Sequence, residues 1–195
     1  MTDGVKFPTN RASRVLITGG AGGVGYPAVQ LARAAGAEVI ALTRSAESAE
    51  AAMSAGARAC VDLAATTAQE IVAEHTDGRG FDLIFDTVGG ATLDAAFQMV
   101  KPTGDVVTVV GAASHNLAPL YLKGANLHMV LVLVPIMFGT DRPQQGKMLG
   151  KIARLVEDGK LTPRIDPQHF ALEDAADAHR TLEAGEAKGK LIIEL

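Results

Sequence analysis

The chain has 195 residues, 48% of them hydrophobic, and a formal net charge of −4. That length suits one domain, or one domain with an appendage, and two Tyr, six Phe and no Trp make its core mainly aliphatic. The mild acidic balance excludes the clustered Lys and Arg of a nucleic-acid-binding surface. The lone Cys60 excludes an internal disulfide and fits a reducing compartment. The longest apolar run, Met129 to Phe138, contains Pro135 and is about half as long as a membrane-spanning helix. With no apolar signal core at the N-terminus, the expected setting is the cytoplasm, with no membrane and no nucleic-acid partner.

Residues 1–13 are polar and read as an irregular lead-in. A first strand, Val15 to Thr18, runs into a glycine cluster that opens a helix ending near Gly36. Gly20, Gly22 and Gly25 fit G-x-G-x-x-G, with Gly23 and Val24 in the same turn. In such a turn the first glycine permits the tight bend, and the second admits a pyrophosphate to the backbone. The third lets the helix lie close on the strand. Free N–H groups and the helix dipole then face the phosphates. Val24, Ala28, Leu31, Ala32 and Ala35 supply the helical spacing, and Pro27 is tolerated in a first turn.

A second strand, Glu38 to Leu42, precedes an alanine-rich helix over 46–54 and a third strand around Ala59 to Val61. Thr67 and Glu70 form a T-x-x-E capping box that starts another helix. Phe81 to Asp86 is the fourth strand. A helix over 92–100 stops at Lys101-Pro102, and Gly104 leads into a fifth strand, Val106 to Val110. Residues 112–126 read as a loop with one helical turn, and Leu127 to Val134 as a very apolar sixth strand. Asp141 is placed to cap a helix running to Glu157, with Gly159 beyond its end. The tail reads as a strand (161–165), a helix (172–184, with Ala175, Ala176, His179 and Leu182 on one face) and a final strand, Leu191 to Leu195. Nearly all-apolar strands alternating with helices describe an α/β fold. Its form is a Rossmann-type, doubly wound, parallel six-stranded sheet over 14–160. A short C-terminal strand-helix-strand appendage follows over 161–195.

In an NAD-binding unit of this kind a carboxylate ends the second strand and takes the ribose hydroxyls. Here that position carries Thr43-Arg44-Ser45. Arg44 suits a 2′-phosphate, and Thr43 and Ser45 can hydrogen-bond it, so NADP(H) is the expected cofactor. A solvated Arg44 ending a strand is the bland alternative.

The set Gly20-Ala-Gly-Gly-Val-Gly25, Ala28-Val-Gln-Leu-Ala32, Phe81-Asp-Leu-Ile-Phe-Asp-Thr-Val-Gly-Gly90, Gly104 with Val106-Val-Thr-Val-Val-Gly111, and Gly189-Lys-Leu-Ile-Ile193 resembles the medium-chain dehydrogenase/reductase superfamily. The nearest branch is the zinc-independent quinone oxidoreductases. The resemblance implies that Thr87, Val88, Gly111 and Ala112 line the nicotinamide and ribose end, and that Lys190 lies near the cofactor. It also implies a homodimer through the edge of Leu127 to Val134, which a bare apolar strand invites. Members of that family carry an N-terminal catalytic domain before the glycine turn, and this chain begins about where that domain would end. A fragment or a half-enzyme is therefore expected, with 161–195 packing on the absent part. Thr18-Gly19-x-x-x-Gly23-x-Gly25 also fits the turn of short-chain dehydrogenases. Their Tyr-x-x-x-Lys pair is missing, because Gln30 and Ala125 follow Tyr26 and Tyr121 by four residues.

No catalytic constellation stands out. His75, His115, His128, His169 and His179 are scattered without CxxC or HxxxH spacing, so no metal site is predicted. His128 reads as a core or interface residue, Cys60 as a small core hydrophobe, and Asp86 as a residue that orients the following loop. His115 and Asn116 are candidates for proton relay or amide contact, with a plain loop as the alternative. The expected activity is NADPH-dependent hydride transfer to a quinone or α,β-unsaturated carbonyl. The alternative is a non-catalytic NADP(H)-binding module serving a partner chain.

Overall fold

The computed structural model describes residues 13–140 and 142–195; the first twelve residues of the expected lead-in and the expected helix cap Asp141 lie outside them. A six-stranded parallel sheet runs in the order β3-β2-β1-β4-β5-β6. Its strands are β1 (Arg14–Thr18), β2 (Glu38–Leu42), β3 (Ala59–Val61), β4 (Phe81–Asp86), β5 (Val100–Thr108) and β6 (Asn126–Met129). Thr18 stands beside Leu42, Ile17 beside Phe85, and Asp86 beside Thr108, so the carboxyl ends of the four central strands form one rim.

Helices cover both faces, as near-continuous apolar strands require. On one face α1 (Gly25–Ala34) and α2 (Ala46–Ala55) bury Val15, Ile17, Val29, Val39 and Ala52. On the other, α3 (Ala68–Thr76), α4 (Gly90–Met99) and α5 (Ala118–Lys123) enclose Leu16, Ile40, Ile71, Phe81, Leu93 and Phe97. The capping box at α3 is formed: Thr67 Oγ1 accepts from Glu70 N, and the Glu70 carboxylate accepts from Thr67 N at 2.8 Å. The Thr67 hydroxyl, which also donates to that carboxylate at 2.7 Å, and the Thr67 N–H hold the Glu70 carboxyl below its ordinary range. The α4 end is closed from a distance, by Lys123 Nζ donating to the carbonyls of Phe97, Gln98 and Val100.

Several boundaries differ from the sequence expectation. β5 begins at Val100 rather than Val106, pairing first with Phe81 and then shifting register before Leu83. The bulge works because Gly104 has no Cβ to meet Val100 and the Asp82 carbonyl, and Thr103 takes a positive φ of 59°. The same strand ends at Thr108 rather than Val110, where Val110 N turns back to Thr108 Oγ1 at 3.0 Å. β6 is only Asn126–Met129, not Leu127 to Val134. After Val130 N reaches Thr108 O the chain bends into α6 (Val134–Met137), where Pro135 offers no N–H to a ladder and fits a helix start. A long helix, α7 (Arg142–Glu157), then ends before Gly159 at φ 68°.

In the tail, the expected strand over 161–165 does not form: 161–164 are irregular and Ile165 opens a later strand. Leu161 N bonds Leu155 O and Thr162 bonds Gln30, so the segment's polar groups are taken before a ladder can form. The strands are β7 (Ile165–Ala171) and β8 (Lys190–Glu194), which pair parallel as a separate two-stranded sheet. Between them a 3₁₀ turn, Leu172–Asp174, leads into α8 (Ala175–Glu183). The residue α8 buries is Ala178, whereas Ala176, His179 and Leu182 of the expected face are exposed. No described helix is long and apolar enough to cross a membrane.

Candidate functional site

The glycine turn leaves β1 at its carboxyl end. Gly20 N bonds Leu42 O, Gly22 N bonds Gly19 O at 2.8 Å, and Tyr26 N bonds Gly22 O at 2.9 Å. At two of its glycines a side chain would not fit. A Cβ on Gly20 would stand 2.6 Å from Ala41 Cβ, and one on Gly25 would overlap the Gly19 carbonyl. The helix that follows is open at its amino end, since Val24 at the cap position makes no side-chain bond and no acidic residue lies in the first turn. Tyr26 N is already bonded and Pro27 has no N–H, so the N–H groups of Val24 and Gly25, with the positive dipole end, are what make this terminus receptive to an anion. A cation already stands there: a Cβ on Gly23 would lie 2.5 Å from Lys190 Nζ. Val24, Val88 and Val110 are 47%, 49% and 39% exposed around this rim, apolar surface on the side where a ligand would lie.

The rim is held by one buried carboxylate. Asp86 is fully buried and accepts from Thr18 Oγ1 at 2.8 Å, Thr108 Oγ1 at 2.8 Å and Gly89 N at 3.0 Å. Thr87 N donates to Thr18 Oγ1 and Thr87 Oγ1 to Thr18 O, at 2.8 and 2.7 Å. β1, β4 and β5 are thus tied at their ends, and Thr87 and Val88 are pressed against Gly19. The sequence reading of Asp86 as a loop organiser covers only part of this. The missed signal was a polar residue closing each of three apolar strands, Thr18, Asp86 and Thr108.

The other expected residues fall as follows. Thr43, Arg44 and Ser45 follow β2 beside the turn. Thr43 is buried with its N on Val61 O. Ser45 is the cap of α2, bonded to Ser48. The Arg44 guanidinium is exposed and bonds no described residue. Gly111 and Ala112 are exposed just past β5, and Gly111 packs on Met129 so closely that a Cβ would overlap the methionine methyl. His115 and Asn116 turn away from the rim. His115 Nδ1 bonds Asp94 on α4 at 2.8 Å, its ring sits edge-on to Phe97, and its Nε2 is buried without a hydrogen bond to any described residue. Asn116 Oδ1 accepts from Ala118 N and starts α5. No group of three or more His, Cys, Asp or Glu among the described residues is placed to hold a metal ion, so they provide no zinc donor set.

A parallel sheet with a glycine turn feeding an open helix is a Rossmann-type domain. The chain belongs to the zinc-binding dehydrogenase family, whose model matches residues 55–193, within the medium-chain dehydrogenase/reductase superfamily. It is 39% identical to an alcohol dehydrogenase superfamily protein from Novosphingobium aromaticivorans, covering 94% of this chain and 56% of that one with a TM-score of 0.88. It is 34% identical to the 2-methylene-furan-3-one reductase of Solanum lycopersicum over 181 residues, 92% of this chain and 39% of the enzyme. The Escherichia coli quinone oxidoreductase complexed with NADPH superposes with a TM-score of 0.81 at 26% identity, over 94% of this chain and 57% of that chain. The chain therefore spans little more than half of these solved structures and less of the curated relatives it matches.

Proposed function

We propose that the chain is the NADP(H)-binding half of an oxidoreductase that delivers hydride to a quinone or an α,β-unsaturated carbonyl. One observation carries the reading: a turn that admits no Cβ at Gly20 or Gly25 opens on an uncapped helix with a lysine ammonium above it. Arg44, whose guanidinium bonds no described residue just past β2, is assigned to the 2′-phosphate, with Thr43 and Ser45 beside it. The diphosphate is assigned to Gly20, Gly22, Gly23, Val24, Gly25 and Lys190. Thr87, Val88, Gly111 and Ala112 lie along the rim where the nicotinamide and its ribose would rest. When bound, the cofactor supplies the hydride. The chain's own part is to grip the phosphates, hold the rim through Asp86, and cover one side of the ring with Val88 and Val110.

A thermal-shift comparison of NADPH with NADH tests this assignment. Ligand at 100 times Kd adds about 2.7 kcal/mol, which for a chain of this size raises Tm by roughly 5–10 °C. Arg44→Ala should weaken NADPH roughly 10- to 100-fold, as expected for losing a charge-assisted phosphate contact, and leave NADH unchanged. Equal loss of both nucleotides would remove the 2′-phosphate assignment.

A second reading, a cofactor module that serves a partner chain without turnover of its own, is favoured by His115. Its free nitrogen is buried and its other nitrogen is tied to Asp94, so neither candidate relay residue reaches the rim. Quinone reduction by the purified chain with NADPH decides between the two. The exposed run Met129–Phe138 next to the β6 edge supports a homodimer across that edge, over a strand shorter than the sequence suggests. Light scattering at micromolar concentration should give twice the chain mass of 20.2 kDa; a monomer there removes the dimer.

A further inference from the structure

The two-stranded tail sheet reaches the glycine turn at specific atoms. Arg164 Nη1 donates to Ala21 O at 3.2 Å, while its Nη2 lies 3.8 Å from Glu47 on α2. Lys188 Nζ approaches the same carboxylate at 3.9 Å. Lys190 N donates to Arg164 O at 2.8 Å, so Arg164 and the lysine above Gly23 are neighbours across one ladder. That ladder is closely fitted. A Cβ on Gly189 would stand 2.6 Å from Arg164 O and 2.8 Å from Asp166 N. The Asp166 carboxylate accepts from Gln168 N and Lys188 N, at 2.8 and 2.6 Å, bonds that hold its carboxyl below the ordinary range. A second tether lies one helical turn along α1, where Gln30 Oε1 accepts from Thr162 N at 2.8 Å and Gln30 Nε2 donates to Thr162 O at 2.9 Å.

Peptide planarity links this to the turn. In the peptide between Ala21 and Gly22 the carbonyl and the N–H point in opposite directions. Gly22 N–H is turned inward to Gly19 O and Ala21 C=O outward to Arg164. Whatever holds Arg164 therefore fixes the plane from which Gly23 and Val24 continue into the helix. We propose that Arg164 is a positioning residue for the phosphate-binding turn, and that seating the 161–195 unit on α1 and binding a nucleotide diphosphate at the turn are one coupled equilibrium. The proposal rests on the nucleotide reading above. Coupling of this kind is reciprocal: whatever loosens the tail weakens the ligand, and ligand in turn holds the tail.

The test titrates NADPH and NADH separately into the whole chain and follows amide exchange of 161–171 and 188–194. Arg164→Ala should weaken both nucleotides by the same factor, about 10-fold for one lost bond to a charged donor, because the turn is common to both. Arg164→Lys, which keeps a charge and a donor, should recover part of the loss. Gln30→Ala carries the test if Arg164→Ala does not fold. It removes the distant tether without touching the turn, and should also weaken both nucleotides and speed exchange of the tail. In the unaltered chain, saturating NADPH should slow that exchange. Unchanged affinities in the folded variants, a loss confined to NADPH, or tail exchange indifferent to ligand would overturn the coupling. If the unaltered chain binds neither nucleotide, the nucleotide reading itself fails and the coupling falls with it.

Discussion

Asp86→Ala is expected to cost about 3–5 kcal/mol of stability, the range for removing one side of a buried, charge-assisted hydrogen-bond set. The carboxylate is fully buried, and its removal strands the Gly89 N–H and the Thr18 hydroxyl and leaves the Thr108 hydroxyl only the Val110 carbonyl at 3.2 Å. Thr18 Oγ1 is also the acceptor for Thr87 N, so the loss propagates to the loop carrying Thr87 and Val88. Asp86→Asn keeps the shape and one carbonyl oxygen but sets an NH₂ against groups that now donate. The hydroxyls can rotate to accept from it while the Gly89 N–H cannot, so the expected cost is smaller, roughly 1–2 kcal/mol. Urea denaturation of both variants checks the order. A stable Asp86→Ala protein would mean that the three strand ends do not depend on this carboxylate.

Gly25→Ala should abolish detectable nucleotide stabilisation. On helix propensity alone, alanine at this position would gain up to about 1 kcal/mol. Sterics win, because the new Cβ would overlap the Gly19 carbonyl oxygen and stand 2.7 Å from its carbon and 2.9 Å from Gly20 Cα. These are backbone atoms with no rotamer to change. Relief requires α1 to lift off the turn, at an overpacking cost of about 1–3 kcal/mol, and moves the Gly23 and Val24 N–H groups away from the phosphate position. Thermal scans without ligand should show a loss of several degrees, and scans with millimolar NADPH should show no recovery. Recovery to the unaltered chain's shift would place the diphosphate elsewhere.

These two positions divide the fold between what was written locally and what was not. The parallel sheet, the glycine turn, the Thr67–Glu70 cap and the strands β2, β3 and β4 follow from the sequence. Each rests on short-range rules: apolar runs, residues that only one backbone shape accepts, and hydrogen bonds between residues three apart. That Arg44 directly follows β2 was legible for the same reason, since it is counted along the chain.

Ladder ends and faces were not legible. The length of β6, the start of β5 and the inward side of α8 depend on which neighbour claims each polar group first, and those neighbours are far away in sequence. Leu182 sits on an apolar stripe yet is 59% exposed, because periodicity reports that a face is apolar and not that anything covers it. The same holds for the site. Sequence alone singled out the glycine turn. Only the tertiary structure brought Arg164 to Ala21, 143 positions apart, because side-chain reach across two packed units leaves no trace in local pattern.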